Sequence, residues 1–490
     1  MIGRRRLPQR LGRFLGEERG NAAVIFAFVL LPLLAGTGLA IDSMLAFTVE
    51  ERLQKSLDAA GLAAGNTVDP NNIEPDARAF FNSNFGEAPD LATVTGPNVQ
   101  VSPDGTEITL TASATMPTRF MHLFGQDSVT VNATSVINRA TRGMELVLVL
   151  DNTHSMVLYE DRMGALQRAA KDLVDIVYGN RTSVLDLWVG VVPYAATVNI
   201  GTANIAFLSA TDRVHDSSSP FAPDSWGGCV LARPAPRDQT DDPPSVARFS
   251  SYLYPDVTYP TITEAYYKPI YNNNWGTDVS PSSRKKTENA YGPYWSGWGP
   301  NVGCPPPITP LVAQKGQIVS AINAMKPWDR WGTEINMGLV WGWRVLSPRW
   351  RGLWSGSPAQ LPLDYNTPNM DKVIVALTDG DNEMPFYPPP DGTIPPYSAY
   401  ETPANLGAST RDGAIAALNS RTRAVCNAIR GAGIILYTIT VGSQASSQGK
   451  NLMRDCASSS AHYFHSPNGG TLQMVFRSIG SQLANLRIAR

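Results

Sequence analysis

Glu145-Leu146-Val147-Leu148-Val149-Leu150-Asp151-Asn152-Thr153-His154-Ser155-Met156 is the stretch whose reading decides the fold of this chain. From Leu146 to Leu150 the residues are all apolar, with no alternation between apolar and polar. A strand with one wet face alternates; a strand without alternation is buried on both faces, as in a parallel sheet covered by helices. The run ends on Asp151, and hydroxyls follow at Thr153 and Ser155. Ligands of open α/β sheets bind beyond the carboxyl ends of the strands, so these oxygens fall where a site is expected. Carboxylate and hydroxyl oxygens are hard ligands that suit Mg²⁺, Mn²⁺ or Ca²⁺ better than zinc. The simpler alternative is a turn that caps the next helix, a position that Asp, Thr and Ser also favour.

Two more segments bear on that choice. Asp151-x-Thr153-x-Ser155 at the end of a first buried strand resembles the metal-ion-dependent adhesion site of von Willebrand factor A domains. That family takes a Thr before a helix and an Asp after a later buried strand as further ligands. Trp331-Gly332-Thr333-Glu334-Ile335-Asn336 offers Thr333, and Val373-Ile374-Val375-Ala376-Leu377-Thr378-Asp379-Gly380 offers Asp379. The resemblance implies a site made of Asp151, Thr153, Ser155, Thr333 and Asp379 that holds Mg²⁺ (or Mn²⁺ or Ca²⁺). A partner's carboxylate would complete the coordination, so the cation serves recognition. His154 stands where relatives usually carry Gly, so the loop could differ or the imidazole could displace the cation. Asp381 and Glu383, just beyond Asp379, either support the site or are solvated and capping.

The N-terminus has its own pattern. Arg4, Arg5, Arg6, Arg10, Arg13 and Arg19 precede an uncharged stretch from Ala22 to Ile41. About twenty apolar residues are what a helix needs to cross a bilayer. Arginines before the span and Asp42, Glu50 and Glu51 after it put the N-terminus in the cytoplasm and the bulk outside. The run exceeds the apolar core of a usual secretory leader, which favours a retained anchor over cleavage. After it, Leu53, Leu57, Ala60 and Ala64 recur at helical spacing.

The segments Glu18 to Ala27, Gly38 to Asp42 and Leu53 to Ala60 resemble the start of TadG-like proteins of tight-adherence (Flp-type) pilus systems. Such proteins commonly carry an A domain on the exported side. The resemblance implies a bacterial inner-membrane protein that helps assemble or anchor a pilus through protein partners. Related pseudopilins are cut after a Gly and carry Glu five residues later; here Gly20 is followed at that offset by Ile25, against such processing.

The expected organisation is a basic cytoplasmic tail (1–21), a transmembrane helix (22–41) and a juxtamembrane helix (42–66). A small exported α+β region (67–143) follows, then an A-type domain (144–490) interrupted by an insertion (200–307). The fold class is α/β, with a doubly wound, mainly parallel sheet. Within the α+β region, alternation on both sides of Pro103-Asp104-Gly105 predicts a hairpin, and Val129 to Val136 another strand. In the A-type domain, helices are expected over Arg162–Tyr178, Thr309–Lys326, Thr410–Gly431 and Thr471–Leu486. Strands are expected over Leu187–Ala195, Asp371–Asp379 and Ile434–Val441. The insertion is rich in Pro, Tyr, Trp and Asn; it reads either as an aromatic binding surface or as an irregular lobe packed on itself. A second Pro/Tyr-rich loop, beginning at Pro385, follows Asp379 and is expected to rim the same face.

Four cysteines in an exported protein favour two disulfides, most simply Cys229–Cys304 and Cys426–Cys456, among three possible pairings. A net charge of −2 gives no reason to expect a nucleic-acid partner. No nucleophile elbow, paired-histidine metalloprotease motif or phosphate-binding loop occurs, so binding is expected and catalysis is not. Two alternatives stay open: a surface adhesin for host or matrix ligands, and a structural anchor with a degenerate metal site.

Overall fold

The computed structural model describes residues 21–67, 72–86, 92–103, 107–138, 142–158, 161–212, 226–255, 299–328, 332–384 and 397–488. They form two compact units, one up to Ala140 and one from Thr141.

In the first unit a single helix, α1, runs from Asn21 to Asn66. From Ile25 to Ile41 it carries no charge and is largely exposed, and by length and composition it can cross a membrane. Its second half is amphipathic: Leu53, Leu57, Ala60 and Ala64 are fully buried on one stripe. That stripe covers an antiparallel sheet of β1 (Thr93–Val101), β2 (Glu107–Pro117) and β3 (Ser128–Asn138), together with α2 (Ile73–Phe85). The hairpin pairs Val99 with Leu110 and Val101 with Ile108, while turn residues 104–106 lie outside the described residues. Helix and sheet meet closely at Gly61, where an added Cβ would stand 2.6 Å from the Ile137 side chain.

In the second unit an eight-stranded sheet is built on β4 (Gly143–Asp151). The strands β5 (Leu187–Tyr194), β6 (Val198–Asn199) and β7 (Cys229–Val230) extend it on one side. On the other side, β9 (Met370–Thr378), β10 (Ile435–Val441) and β11 (Tyr463–Ser466) follow in order. The pairs β4–β5, β4–β9, β9–β10 and β10–β11 are parallel. The strand β8 (Thr309–Val312) pairs antiparallel with β5.

Every residue of β4 is buried, as its unbroken apolar run requires. Leu146, Leu148 and Leu150 face helices α3 (Arg162–Tyr178), α4 (Lys315–Ala324) and α8 (Gly469–Ile488). Val147 and Val149 face α5 (Ile335–Leu346), α6 (Arg411–Gly431) and α7 (Ser447–Cys456). Successive strand residues point to opposite faces, so this split is what a two-sided helical cover demands. One expectation needs correction. Thr309–Lys326 is not a helix throughout, because its first four residues form β8 and the helix occupies Lys315–Ala324. Pro310 is tolerated there because, among the described residues, β8 pairs with β5 alone.

Of the insertion, residues 213–225 and 256–298 lie outside the described residues. The described part packs as a lobe. Phe207, Trp226 and Phe249 are buried against Trp341, Trp350 and Trp354, with Phe207 edge-on to Trp350 and Trp354. Arg344, fully withdrawn from water, donates to the carbonyls of Thr240 and Arg237 and so ties the lobe to α5. Cys229 is bonded to Cys304 and Cys426 to Cys456, the pairing expected from the sequence.

Candidate metal-ion site

The chain runs outward from β4 through β5 to β8, then returns to β9 on the other flank of β4. Ligands of open α/β sheets gather at the carboxyl-end crevice where strand order reverses, here between β4 and β9. The parallel register sets Leu150 beside Leu377, so the next residues of each chain leave the sheet side by side. Asp151 ends β4 and Asp379 follows β9 by one residue.

Short polar contacts link four of the five predicted ligands in a row. The Oδ1 of Asp151 accepts from the Thr153 backbone N–H at 2.8 Å and from its hydroxyl at 2.7 Å. Oγ1 of Thr153 lies 2.8 Å from Oγ of Ser155, and Ser155 donates to Oδ1 of Asp379 at 2.7 Å. The remaining oxygen of Asp151 accepts from Thr378 at 3.0 Å and lies 3.4 Å from the hydroxyl of Tyr194, which donates to the Leu377 carbonyl at 3.0 Å. Tyr194 reaches that point because α5 offers Gly338, where a Cβ would stand 2.6 Å from its ring.

Thr333 is held differently. It forms a two-way backbone pair with Glu383, at 2.7 and 2.9 Å, so its loop is fastened to the loop that follows Asp379. Asn382 secures the same junction by accepting from the Ile335 N–H at 2.9 Å. Among the described residues, no hydrogen bond joins the Thr333 side chain to the other four. Trp331, its neighbour in the predicted motif, lies outside the described residues, as does the Pro/Tyr-rich stretch 385–396. Asp381 accepts from Ser446 at 2.7 Å and Glu383 is ion-paired with Arg411, so both have partners away from the row.

Arg162, the first residue of α3, also reaches the row. Its guanidinium donates to Oδ2 of Asp379 at 2.9 Å, with both side chains almost fully buried. Gly442, at φ +101°, makes room for it: a Cβ there would stand 2.6 Å from the guanidinium carbon. The sequence signal was an arginine seven residues after Ser155, but its pairing spans 217 positions and no local pattern reveals it. His154, the residue expected to disturb the site, is buried within the turn, where its carbonyl accepts from the Val157 N–H at 3.1 Å.

Electrostatics follow from burial. Loss of water pushes the Asp151 carboxyl up, repulsion from Asp379 adds to this, and the hydrogen bonds from Thr153 and Thr378 oppose it. Burial raises Asp379 as well, against the pull of Ser155 and Arg162. Two buried carboxylates this close call for positive charge, and Arg162 supplies one unit where two negative groups converge. The donor set fits a hard divalent cation in kind: two carboxylates and two hydroxyls, converging on one crevice. Among the described residues no group of three or more His, Cys, Asp or Glu side chains converges, so such a site would depend on hydroxyl oxygens.

Strand order and carboxylate pair together define an A-type α/β domain with an adhesion-site-like cluster of oxygens. At the other end of the chain, residues 20–67 match the model of the Tad family, described as "Putative Flp pilus-assembly TadE/G-like". The apolar half of α1 and this match fit a single-pass membrane protein. No curated protein matches the chain.

Solved structures similar to the chain include proximal thread matrix protein 1 from the mussel byssus, whose structure has a zinc-occupied MIDAS motif. It is 13% identical, with a TM-score of 0.31, over 71% of this chain and 47% of that one. The von Willebrand factor domain of the type V pili tip protein Mfa5 from Porphyromonas gingivalis is 12% identical, with a TM-score of 0.35, over 71% and 97%. The pilus adhesin SpaC from Lactobacillus rhamnosus GG is 11% identical, with a TM-score of 0.34, over 81% and 35%. The chain thus spans about half the length of the mussel protein. Assignment of the domain rests on its strand order and carboxylate pair, not on these likenesses.

Proposed function

We propose that this chain is a single-pass inner-membrane protein of a tight-adherence pilus system, with a cytoplasmic N-terminus and a periplasmic A-type domain. The domain binds a protein partner through a divalent cation, Mg²⁺ or a similar ion, held by Asp151, Thr153, Ser155, Thr333 and Asp379, and so serves assembly or anchoring of the pilus. The observation that carries this reading is the row Asp151–Thr153–Ser155–Asp379, joined by polar contacts of 2.7, 2.8 and 2.7 Å at the carboxyl ends of two adjacent parallel strands. The Tad match of residues 20–67 supports the pilus context.

A bound cation would supply the positive centre that attracts a partner's carboxylate. The chain's own groups do the rest. Asp151 and Asp379 provide the charge, and the hydroxyls of Thr153 and Ser155 space the two carboxylates. Arg162 fixes one oxygen of Asp379 and turns the other toward Ser155. Nothing in this cluster resembles a nucleophile with its base, so the reading is recognition and not catalysis. Replacing Asp151 with Ala is expected to abolish piliation while the protein stays in the membrane at normal level. Normal piliation in that variant would overturn the proposal.

The Arg162–Asp379 pair favours one other reading, in which the guanidinium is the permanent counter-charge and the domain is a structural anchor without metal. Titrating Mn²⁺ into wild type and Arg162→Gln separates the two. Saturable binding by wild type supports the cation site, and binding confined to the variant supports the anchor.

A further inference from the structure

The first unit carries an exposed apolar feature that the pilus reading does not use. Between β2 and β3 the chain makes a short tongue, Arg119-Phe120-Met121-His122-Leu123-Phe124, with one helical turn at Met121–Phe124. Phe120, Leu123 and Phe124 are 41%, 71% and 66% exposed. Isolated exposed apolar residues are ordinary, whereas three within five positions form a patch that calls for a cover.

Its place on the fold says what covers it. Asp42, the first charged residue after the apolar span, is itself buried. It accepts from the backbone N–H groups of Arg119, Phe120 and Met121 at 2.8, 2.9 and 2.7 Å. Phe120 also lies against Gly38, one helical turn earlier, where a Cβ would stand 2.6 Å from the Phe120 Cβ. The tongue is thereby fastened to α1 at the end of the uncharged stretch Ala22–Ile41. The helix it is fastened to is itself apolar and exposed on either side of that junction: Leu33, Leu34, Leu39 and Ile41 on the span, and Met44 and Phe47 just beyond it, are exposed. Two exposed basic residues, Arg119 and His122, flank the aromatic tips, and Gln126 and Asp127 mark the return to water. Aromatic rings beside basic side chains are the composition of a bilayer interface.

We propose that this tongue is a second, shallow membrane contact. Phe120, Leu123 and Phe124 enter the outer leaflet at headgroup depth beside α1 and fix the tilt and rotation of the first unit on the membrane. The inference rests on the reading of α1 as a membrane anchor, and the occupant is lipid. A helix anchored by a single span is otherwise free to rotate about its axis; a second contact off that axis removes this freedom.

The test uses the full chain in vesicles of phosphatidylethanolamine and phosphatidylglycerol. All four native cysteines are in disulfides, so a single introduced cysteine takes a nitroxide label selectively. Labels at Leu123→Cys, at Leu33→Cys in the span and at Ser128→Cys on the exposed start of β3 are compared for collision with oxygen, which prefers lipid, and with a water-soluble nickel complex. The proposal expects oxygen to dominate at positions 33 and 123 and nickel at 128. Lipid exposure at 33 with nickel dominant at 123 would overturn the tongue and leave the anchor standing. Nickel dominance at 33 would overturn the anchor reading itself, and the tongue with it. A label at 123 shielded from both reagents would assign the patch to a protein neighbour and overturn the lipid contact.

Discussion

Arg162 and Asp379 form an ion pair of 2.9 Å in which each side chain keeps only 3% and 2% of its exposure. The pair sits at the crevice between β4 and β9, so a positive group of the protein itself stands beside the predicted cation site. Removing one partner of a buried pair leaves an uncompensated charge, at a cost of about 3–5 kcal/mol. Arg162→Met is therefore expected to lower stability by about that amount in denaturant unfolding. Millimolar Mg²⁺ should restore part of the loss, because a bound cation replaces the missing charge. Equal loss with and without Mg²⁺ would detach Arg162 from the cation site.

Gly442 is the floor on which that guanidinium rests. Its φ of +101° disfavours any side chain, and a Cβ there meets Arg162 head-on. Gly442→Ala is expected to cost about 1–3 kcal/mol from backbone strain alone. It should further reduce the benefit of Arg162, so the double variant Gly442→Ala with Arg162→Met should lose less than the sum of the single losses. Strict additivity in a double-mutant cycle would show that the two do not cooperate.

The strand that carries this cluster of oxygens is readable in the sequence. The unbroken run Leu146–Leu150 places β4 between two helical layers, and the resemblance to A domains is what points to Asp379 beside Asp151, a neighbourhood that the β4–β9 pairing supplies. What stayed hidden was non-local. Arg162 gives no sign in the sequence of a partner 217 positions away, and Thr378 and Tyr194 read as ordinary strand residues until register turns them toward Asp151. The strand β8 hides for another reason: Thr309-Pro310-Leu311-Val312 is too short to show a period and stands directly before a helix.

Thr378 provides a test of those hidden contacts. Its hydroxyl donates to Asp151 at 3.0 Å, both residues being fully buried. Thr378→Val keeps the shape and removes the donor. A hydrogen bond to a charged group is worth about 1.5–3 kcal/mol, and a loss in that range is expected in chemical denaturation. A change of under about 0.5 kcal/mol, within the range of neutral surface substitutions, would mean that Asp151 does not rely on this contact.

The disulfide Cys426–Cys456 joins α6 to the end of α7 across 30 residues of chain. Closing a loop of that length in the unfolded chain is worth about 3–4 kcal/mol in the chain-entropy model. Replacing both cysteines with Ser is expected to lower stability by about that amount and to leave metal affinity unchanged, because neither cysteine touches the row of oxygens. A loss of Mg²⁺ affinity in this variant would show that α7 and the crevice are coupled.

The most direct test of the central claim is calorimetric titration of Mn²⁺ into this chain, chelator-treated and in detergent, run beside Asp151→Asn. Saturable binding of one ion per chain in wild type, lost in the variant, is the predicted result. Absence of binding in wild type, or the same isotherm in both proteins, would contradict a cation held between Asp151 and Asp379.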